Sequence, residues 1–250
     1  MVLFPIADEK HSGTPVSAWR AIESRLKQTA SAYWLVTQPS HAALAGDLAA
    51  ALRDDLFGVI DPTVARSIAL HDAGWSMQDA EQIQRLRKDP KQTPASFVEA
   101  SISQVLEAWT GSIEAASKFA PIGGYLVSRH FERLSGRIDQ KAEVQFEAFR
   151  KREELRQQKL KANLERNEAD LERLVDALQF CDALSLYLSC GSTRTIRFDN
   201  PAITISRKGD EYRLEPSPFR ESRQFSFSAL RHPVLEGKKG QSGATFYINL

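Results

Sequence analysis

The sequence predicts a mainly α fold, a helical bundle carrying a small antiparallel β-rich C-terminal extension. Three observations predict it. Apolar residues recur at helical spacing through most of residues 16–188, and the breaks between those stretches carry Pro, Gly and Ser. Beyond Gly191 the pattern changes to the two-residue alternation of strands. The bundle is assigned to residues 1–190 and the extension, packed on it, to residues 191–250. A chain of 250 residues with 42% hydrophobic content can bury a full core in one main domain.

The opening run Met1-Val2-Leu3-Phe4-Pro5-Ile6-Ala7-Asp8-Glu9 is interrupted by Pro and then by acids, so neither a signal peptide nor a membrane span is expected. Val16 to Lys27 is amphipathic, and the apolar stretch Tyr33-Trp34-Leu35-Val36 ends at Thr37-Gln38-Pro39-Ser40. Ser40 is the expected N-cap of a helix reaching Arg53. A second helix is expected from Pro62, suited to a first turn, to Ala73, with Gly74 closing it. Residues 84–95, polar and containing Pro90 and Pro94, read as a loop before a long helix over Ala95 to Phe119. Pro121 and Gly123-Gly124 are expected to break the chain ahead of a helix containing Tyr125 to Leu134.

From Asp139 to Asp170 the sequence turns strongly charged and reads as a solvated helical arm, interrupted mainly by Phe146, Phe149, Leu155, Leu160 and Leu164. Those five hold no strict seven-residue repeat, so no coiled-coil seam is predicted. Leu171 to Leu188 returns to the core. Strands are expected at Ile203–Ser206, Glu211–Leu214, Phe225–Phe227 and Thr245–Ile248, with a hairpin turn at Lys208-Gly209-Asp210 and a mobile loop over Gly237 to Gly243.

Composition limits the function classes. The 33 basic and 32 acidic residues nearly cancel, which removes the simplest argument for a nucleic-acid or membrane-surface partner. Cys181 and Cys190, the only cysteines, lie in or beside one apolar helical run, which points to free thiols and a cytoplasmic location. No P-loop, dinucleotide Gly pattern, paired-Cys zinc motif or nucleophile-elbow Ser occurs. The oligomeric state is open, a homo-oligomer included.

Positions four, seven and eleven apart share a helix face, and this places polar residues on buried stripes. His41 aligns with Ala45, Leu48 and Leu52; His71 with Val64, Ile68 and Trp75, with Asp72 at the edge of that stripe; Asp182 with Leu171, Val175, Leu178 and Leu186. His130 sits between Leu126, Val127 and Leu134. His11 and His232 look incidental. One histidine on an apolar face is usually a hydrogen-bonded core residue, but three inward histidines with two inward aspartates form a set that a divalent metal would satisfy. A buried carboxylate costs several kcal/mol, on the order expected for uncompensated charge, unless a cation or donors meet it. Imidazole and carboxylate suit one divalent ion of Mn, Fe, Co, Ni or Zn.

In their order, His41, His71-Asp72 and Asp182 resemble the signature of the HD superfamily of metal-dependent phosphohydrolases. A closer resemblance rests on Gln38-Pro39-Ser40-His41-Ala42, His71-Asp72-Ala73-Gly74-Trp75, Ser128-Arg129-His130 and Glu215-Pro216-Ser217-Pro218-Phe219. Those runs look like a bacterial family of HD-like proteins, domain-of-unknown-function family 3891, whose function is unassigned. The resemblance implies an HD-like helical bundle in which His41, His71, Asp72 and Asp182 bind the metal. It also implies that Asp72 steers an attacking water and that His130 contacts the leaving group or a second metal. The substrate would be a small anionic molecule, a nucleotide or another phosphorylated metabolite.

Three further residues are candidates for substrate binding. Arg129 could hold phosphate or be structural, since it points about 100° round the helix from His130. Trp75 could stack on substrate or pack in the core, and Gln38 could donate to a substrate oxygen or serve a turn. Where superfamily members carry an acid or Lys after the pair, this chain reads Ala73-Gly74-Trp75-Ser76-Met77, with Asp79 and Glu81 further on. A single intervening histidine, His130, favours one metal. The alternatives are a metal- or ligand-binding module without turnover and an iron oxygenase on the same scaffold.

Overall fold

The computed structural model describes residues 1–9, 14–136, 143–209, 211–233 and 243–250. His11, Asp139, Asp210 and most of the loop expected over Gly237 to Gly243 lie outside the described residues. Two four-stranded sheets flank the helices, so the fold is mixed α/β and the expectation of a mainly α, all-α bundle is corrected. Helix accounts for 55% and strand for 19%, too much sheet for a bundle with an appendage.

The correction comes from the N-terminal side. β1 (Val2–Pro5), β2 (Val16–Ser17) and β3 (Tyr33–Val36) join strands from the far end of the chain. One sheet runs in the order β1, β3, β7 (Gln224–His232), β8 (Gly243–Asn249), antiparallel throughout, with Leu35 set between Leu3 and Leu230. The other runs β2, β4 (Ile196–Asp199), β5 (Ala202–Lys208), β6 (Glu211–Glu215), with β2 parallel to β4. Val2–Pro5 and Tyr33–Val36 are short and uniformly apolar because both of their faces are covered, so they lack the alternation that marks a half-exposed strand.

After α1 (Ala18–Leu26), strand β3 delivers the chain into α2 (Gln38–Ala51), which fixes the start of the helix carrying His41. Thr37, not Ser40, is the N-cap: its side chain accepts from Ser40 N at 3.2 Å, and Pro39 occupies the first turn where it loses no hydrogen bond. α3 (Asp54–Phe57) is a single turn. α4 (Pro62–Ile68), capped by Asp61 on Val64 N at 2.9 Å, stops short of the expected Ala73. Leu70 N and His71 N there bond back three residues, to Ser67 O and Ile68 O, and the tightened turn ejects His71 and Asp72 from the helix. A 3₁₀ turn, Ala73–Trp75, then opens α5 (Ser76–Lys88), which covers the first part of the expected 84–95 loop. Arg85, Arg87 and Lys88 in its last turn offset the negative end of the helix.

Ala95 does not start a helix. A 3₁₀ turn at Phe97–Glu99 precedes α6 (Ile102–Phe119), whose true start is set by Ser101 and Gln104 capping each other. Pro121 begins α7 (Pro121–Ser135), and Gly123-Gly124 lies inside its first turn instead of breaking it. A Cβ on Gly123 would lie 2.7 Å from Ser67 Oγ and 2.8 Å from Ala116 O, so the glycine allows α4, α6 and α7 to approach closely.

α8 (Glu143–Lys161) is only half solvated. Phe146, Phe149, Glu153 and Gln157, spaced three, four and four apart, form one buried face, while Val144 and Leu155 stay exposed. Both phenylalanine rings lie 5.6 Å from the Trp109 ring, and Gln157 donates to Ser128 Oγ at 3.0 Å. Glu153, fully buried, accepts from Arg152 and Arg156. The expected solvated arm is therefore a docked helix. Phe149→Ala is predicted to lower stability by about 3–5 kcal/mol, the ordinary cost of a buried phenylalanine, measured by urea unfolding. A change below about 0.5 kcal/mol would return the helix to the solvent.

α9 (Glu168–Ser189), capped by Asn167 on Asp170 N at 2.9 Å, runs through the core against α1, α2 and α7. Cys181 and Cys190 are buried free thiols. Among the described residues no helix is long and apolar enough to cross a membrane.

Candidate metal centre

Four separated segments meet at one point. His41 comes from the first turn of α2, His71 and Asp72 from the turn after α4, His130 from α7 and Asp182 from α9. His41 Nε2 is 2.8 Å from Asp72 Oδ2 and 3.9 Å from Asp182 Oδ1. His71 Nε2 is 3.3 Å from Asp182 Oδ1 and 3.7 Å from Asp72 Oδ2. His130 Nε2 lies 3.6 Å from Asp182 Oδ2. One donor atom each from His41, His71 and Asp182 falls within 4.8 Å of the others. All five residues singled out by their helix faces are thus brought together.

Burial sharpens the chemistry. The three imidazoles are fully enclosed, and the only solvent-facing edges are those of Asp72 and Asp182, whose side chains are 9% and 13% exposed. His71 Nδ1 lies 2.8 Å from Ile68 O, an atom that can only accept, so Nδ1 carries the proton and Nε2 of the neutral ring is bare. That Nε2 is buried and makes no hydrogen bond, yet two carboxylates stand near it. A bare nitrogen facing carboxylate oxygens is repulsive unless a cation lies between them. A second proton or a metal ion meets that need, and imidazole with carboxylate is a donor set for a divalent transition metal.

In the metal-free protein a second proton meets that need. Burial disfavours an imidazolium at His71, but the Asp72 and Asp182 carboxylates outweigh it and hold the group up to about 9. Burial likewise disfavours the Asp182 carboxylate, and His71, His130 and His41 outweigh it, holding the group down to about 2. The neighbouring Cys181 thiol is pushed well up by burial and by Asp182, so it offers no thiolate to the cluster.

The candidates for substrate binding fall elsewhere. Arg129 donates to Glu172 at 3.1 Å and 3.2 Å and pairs with Glu132, which places it in a network between α7 and α9 that also holds Arg133. Trp75 is buried with its ring edge on Phe97, a packing role. Gln38 is buried at the start of α2; its main-chain N–H donates to Asp79 Oδ2 at 2.6 Å, and its side-chain Oε1 makes no hydrogen bond. Asp79 is thereby committed to the start of α2 and to the Met1 ammonium, 2.9 Å away, and not to the cluster.

Ser185 was not legible as part of the site, although it stands three residues beyond Asp182, one helical turn along the same face of α9. Its hydroxyl lies 2.9 Å from His41 Nδ1.

No curated protein and no solved structure matches this chain. A family profile does, over residues 26–231, a span that contains every member of the cluster. The chain therefore belongs to the family described as protein of unknown function (DUF3891).

Proposed function

We propose that the cluster binds one divalent transition metal and hydrolyses a phosphoester of a small anionic metabolite or nucleotide, on the pattern of the HD superfamily. The observation that carries this reading is the buried Nε2 of His71 facing two carboxylates, an arrangement that requires a cation at that point. His41, His71, Asp72 and Asp182 would hold the ion, which when bound polarises a phosphoryl oxygen and acidifies a coordinated water. Asp72, at the solvent-facing rim and in contact with His41, is the carboxylate able to accept a proton from an attacking water. His130, enclosed beside Asp182, is the side chain able to return a proton to a leaving oxygen.

Arg129 is withdrawn from phosphate binding, because its guanidinium is already committed to two glutamates. Trp75 is withdrawn to the core. Gln38, buried at the start of α2, is withdrawn as well. A phosphate-release screen over nucleotides and phosphorylated metabolites, with Mn, Co, Ni and Mg added separately, is expected to find metal-dependent release that Asp72→Asn abolishes. Stoichiometric metal without release on any substrate would favour a second reading, a binding module without turnover. The near-complete enclosure of the cluster, open only at the edges of Asp72 and Asp182, is the observation on that side.

A further inference from the structure

Ser185 touches two groups at once. Its hydroxyl donates to the main-chain carbonyl of Asp182 at 2.9 Å, and His41 Nδ1 lies 2.9 Å from the same oxygen. A hydroxyl has one proton. With that proton on the carbonyl, the serine oxygen can only accept from His41, so Nδ1 must carry hydrogen and Nε2 is left to face Asp72 Oδ2 at 2.8 Å. All three contacts are satisfied together only when Nε2 meets a cation, whether a second proton or a metal ion. In the competing arrangement the hydroxyl turns to His41, Nε2 carries the hydrogen and donates it to Asp72, and the bond to the Asp182 carbonyl is lost. That arrangement satisfies Asp72 without any metal and therefore competes with binding.

We propose that Ser185 is a positioning residue for the metal centre, relaying His41 Nδ1–H to the Asp182 carbonyl so that Nε2 is presented as a ligand. The proposal rests on the metal reading given above. The relay also joins two ligands, because the carbonyl that anchors it belongs to Asp182 itself and lies one turn back on α9. Ser185 is fully buried, so water does not replace its hydroxyl freely. Outer partners of this kind change metal affinity by about 10- to 100-fold when removed.

The test uses full-length protein with zinc as the probe, its Kd read by competition with a chromophoric chelator. Ser185→Ala is expected to weaken zinc binding about 10- to 100-fold with the thermal midpoint of the metal-free protein little changed, and Ser185→Thr, which keeps the hydroxyl, to restore it. In zinc-loaded, ¹⁵N-labelled protein the buried His41 Nδ1–H is expected as a protected resonance that Ser185→Ala removes; a purely structural role for Ser185 would not move that signal. Zinc affinity within twofold of wild type and an unchanged His41 signal in Ser185→Ala would overturn the proposal while leaving the metal reading intact. Failure of wild-type protein to bind zinc, manganese or cobalt would overturn both. If Ser185→Thr does not fold, the Ala variant and the His41 signal decide the matter.

Discussion

Asp182→Ala is expected to take bound metal from about one ion per chain to near zero, because the proposed site would lose a charged ligand. The carboxylate is the hub of the cluster: one oxygen lies 3.3 Å from His71 and 3.9 Å from His41, and the other 3.6 Å from His130. Losing it leaves Asp72 as the only carboxylate, among the described residues, paired with His41 and His71. The metal-free protein should also suffer, since Asp182 helps to hold a proton on fully buried His71 up to about 9. Breaking a buried pair by removing one partner costs about 3–5 kcal/mol, and the residual pairing with Asp72 places this variant at the lower end. Asp182→Asn separates charge from packing: it keeps the shape, and it should still lose the metal. Metal analysis with urea unfolding reads both effects. Unchanged metal content in either variant would remove Asp182 from the ligand set.

Gly74→Ala is expected to be strongly destabilising. An added Cβ would lie 2.0 Å from Ala108 O, 2.7 Å from Ser112 N and 2.9 Å from Ala108 C, all main-chain atoms of α6. No rotamer change relieves such a contact. Either α6 or the 3₁₀ turn must move, which also strains the bond from Gly74 N to Ser112 Oγ at 2.9 Å. Overpacking ordinarily costs about 1–3 kcal/mol, and clash with rigid backbone places this case at or above the top of that range. For a chain of this size that corresponds to a fall of about 6–12 °C in thermal midpoint. Gly74 is two residues from Asp72, so the same strain should reach the site and weaken metal binding. Calorimetry showing a shift below about 2 °C would contradict the close approach.

The four C-terminal strands and the convergence of the polar residues are legible in the sequence, whereas the N-terminal strands are not, and the reasons are physical. A polar side chain on a buried stripe is conspicuous in a sequence, and His41, His130 and Asp182 lie on real helices, so their faces were read correctly. His71 lies beyond the helix its spacing predicts: α4 ends at Ile68, and a tight turn aims the imidazole inward. Val2–Pro5 and Tyr33–Val36 had no visible strand signal, because full burial erases alternation and four residues are too few to separate strand from helix. The partner strands of that sheet lie nearly two hundred residues away, a pairing that no local pattern can announce. Charge misled at α8, where a fully buried Glu153 and a docked Gln157 sit on a face that composition alone assigns to solvent. Ser185 is not conspicuous in the sequence because serine is a common helix residue, and its distance to His41 separates it from Ser189, the other serine of α9.

His41, His71, Asp72 and Asp182 are expected to surround one metal ion. Crystals of the protein grown with manganese, cobalt or zinc, with data collected on both sides of the metal's absorption edge, test it most directly. One anomalous peak per chain is expected, in contact with His41 Nε2, His71 Nε2 and carboxylate oxygens of Asp72 and Asp182, and lost in Asp182→Ala. No peak at that position at saturating metal, or a peak held by other residues, would contradict it.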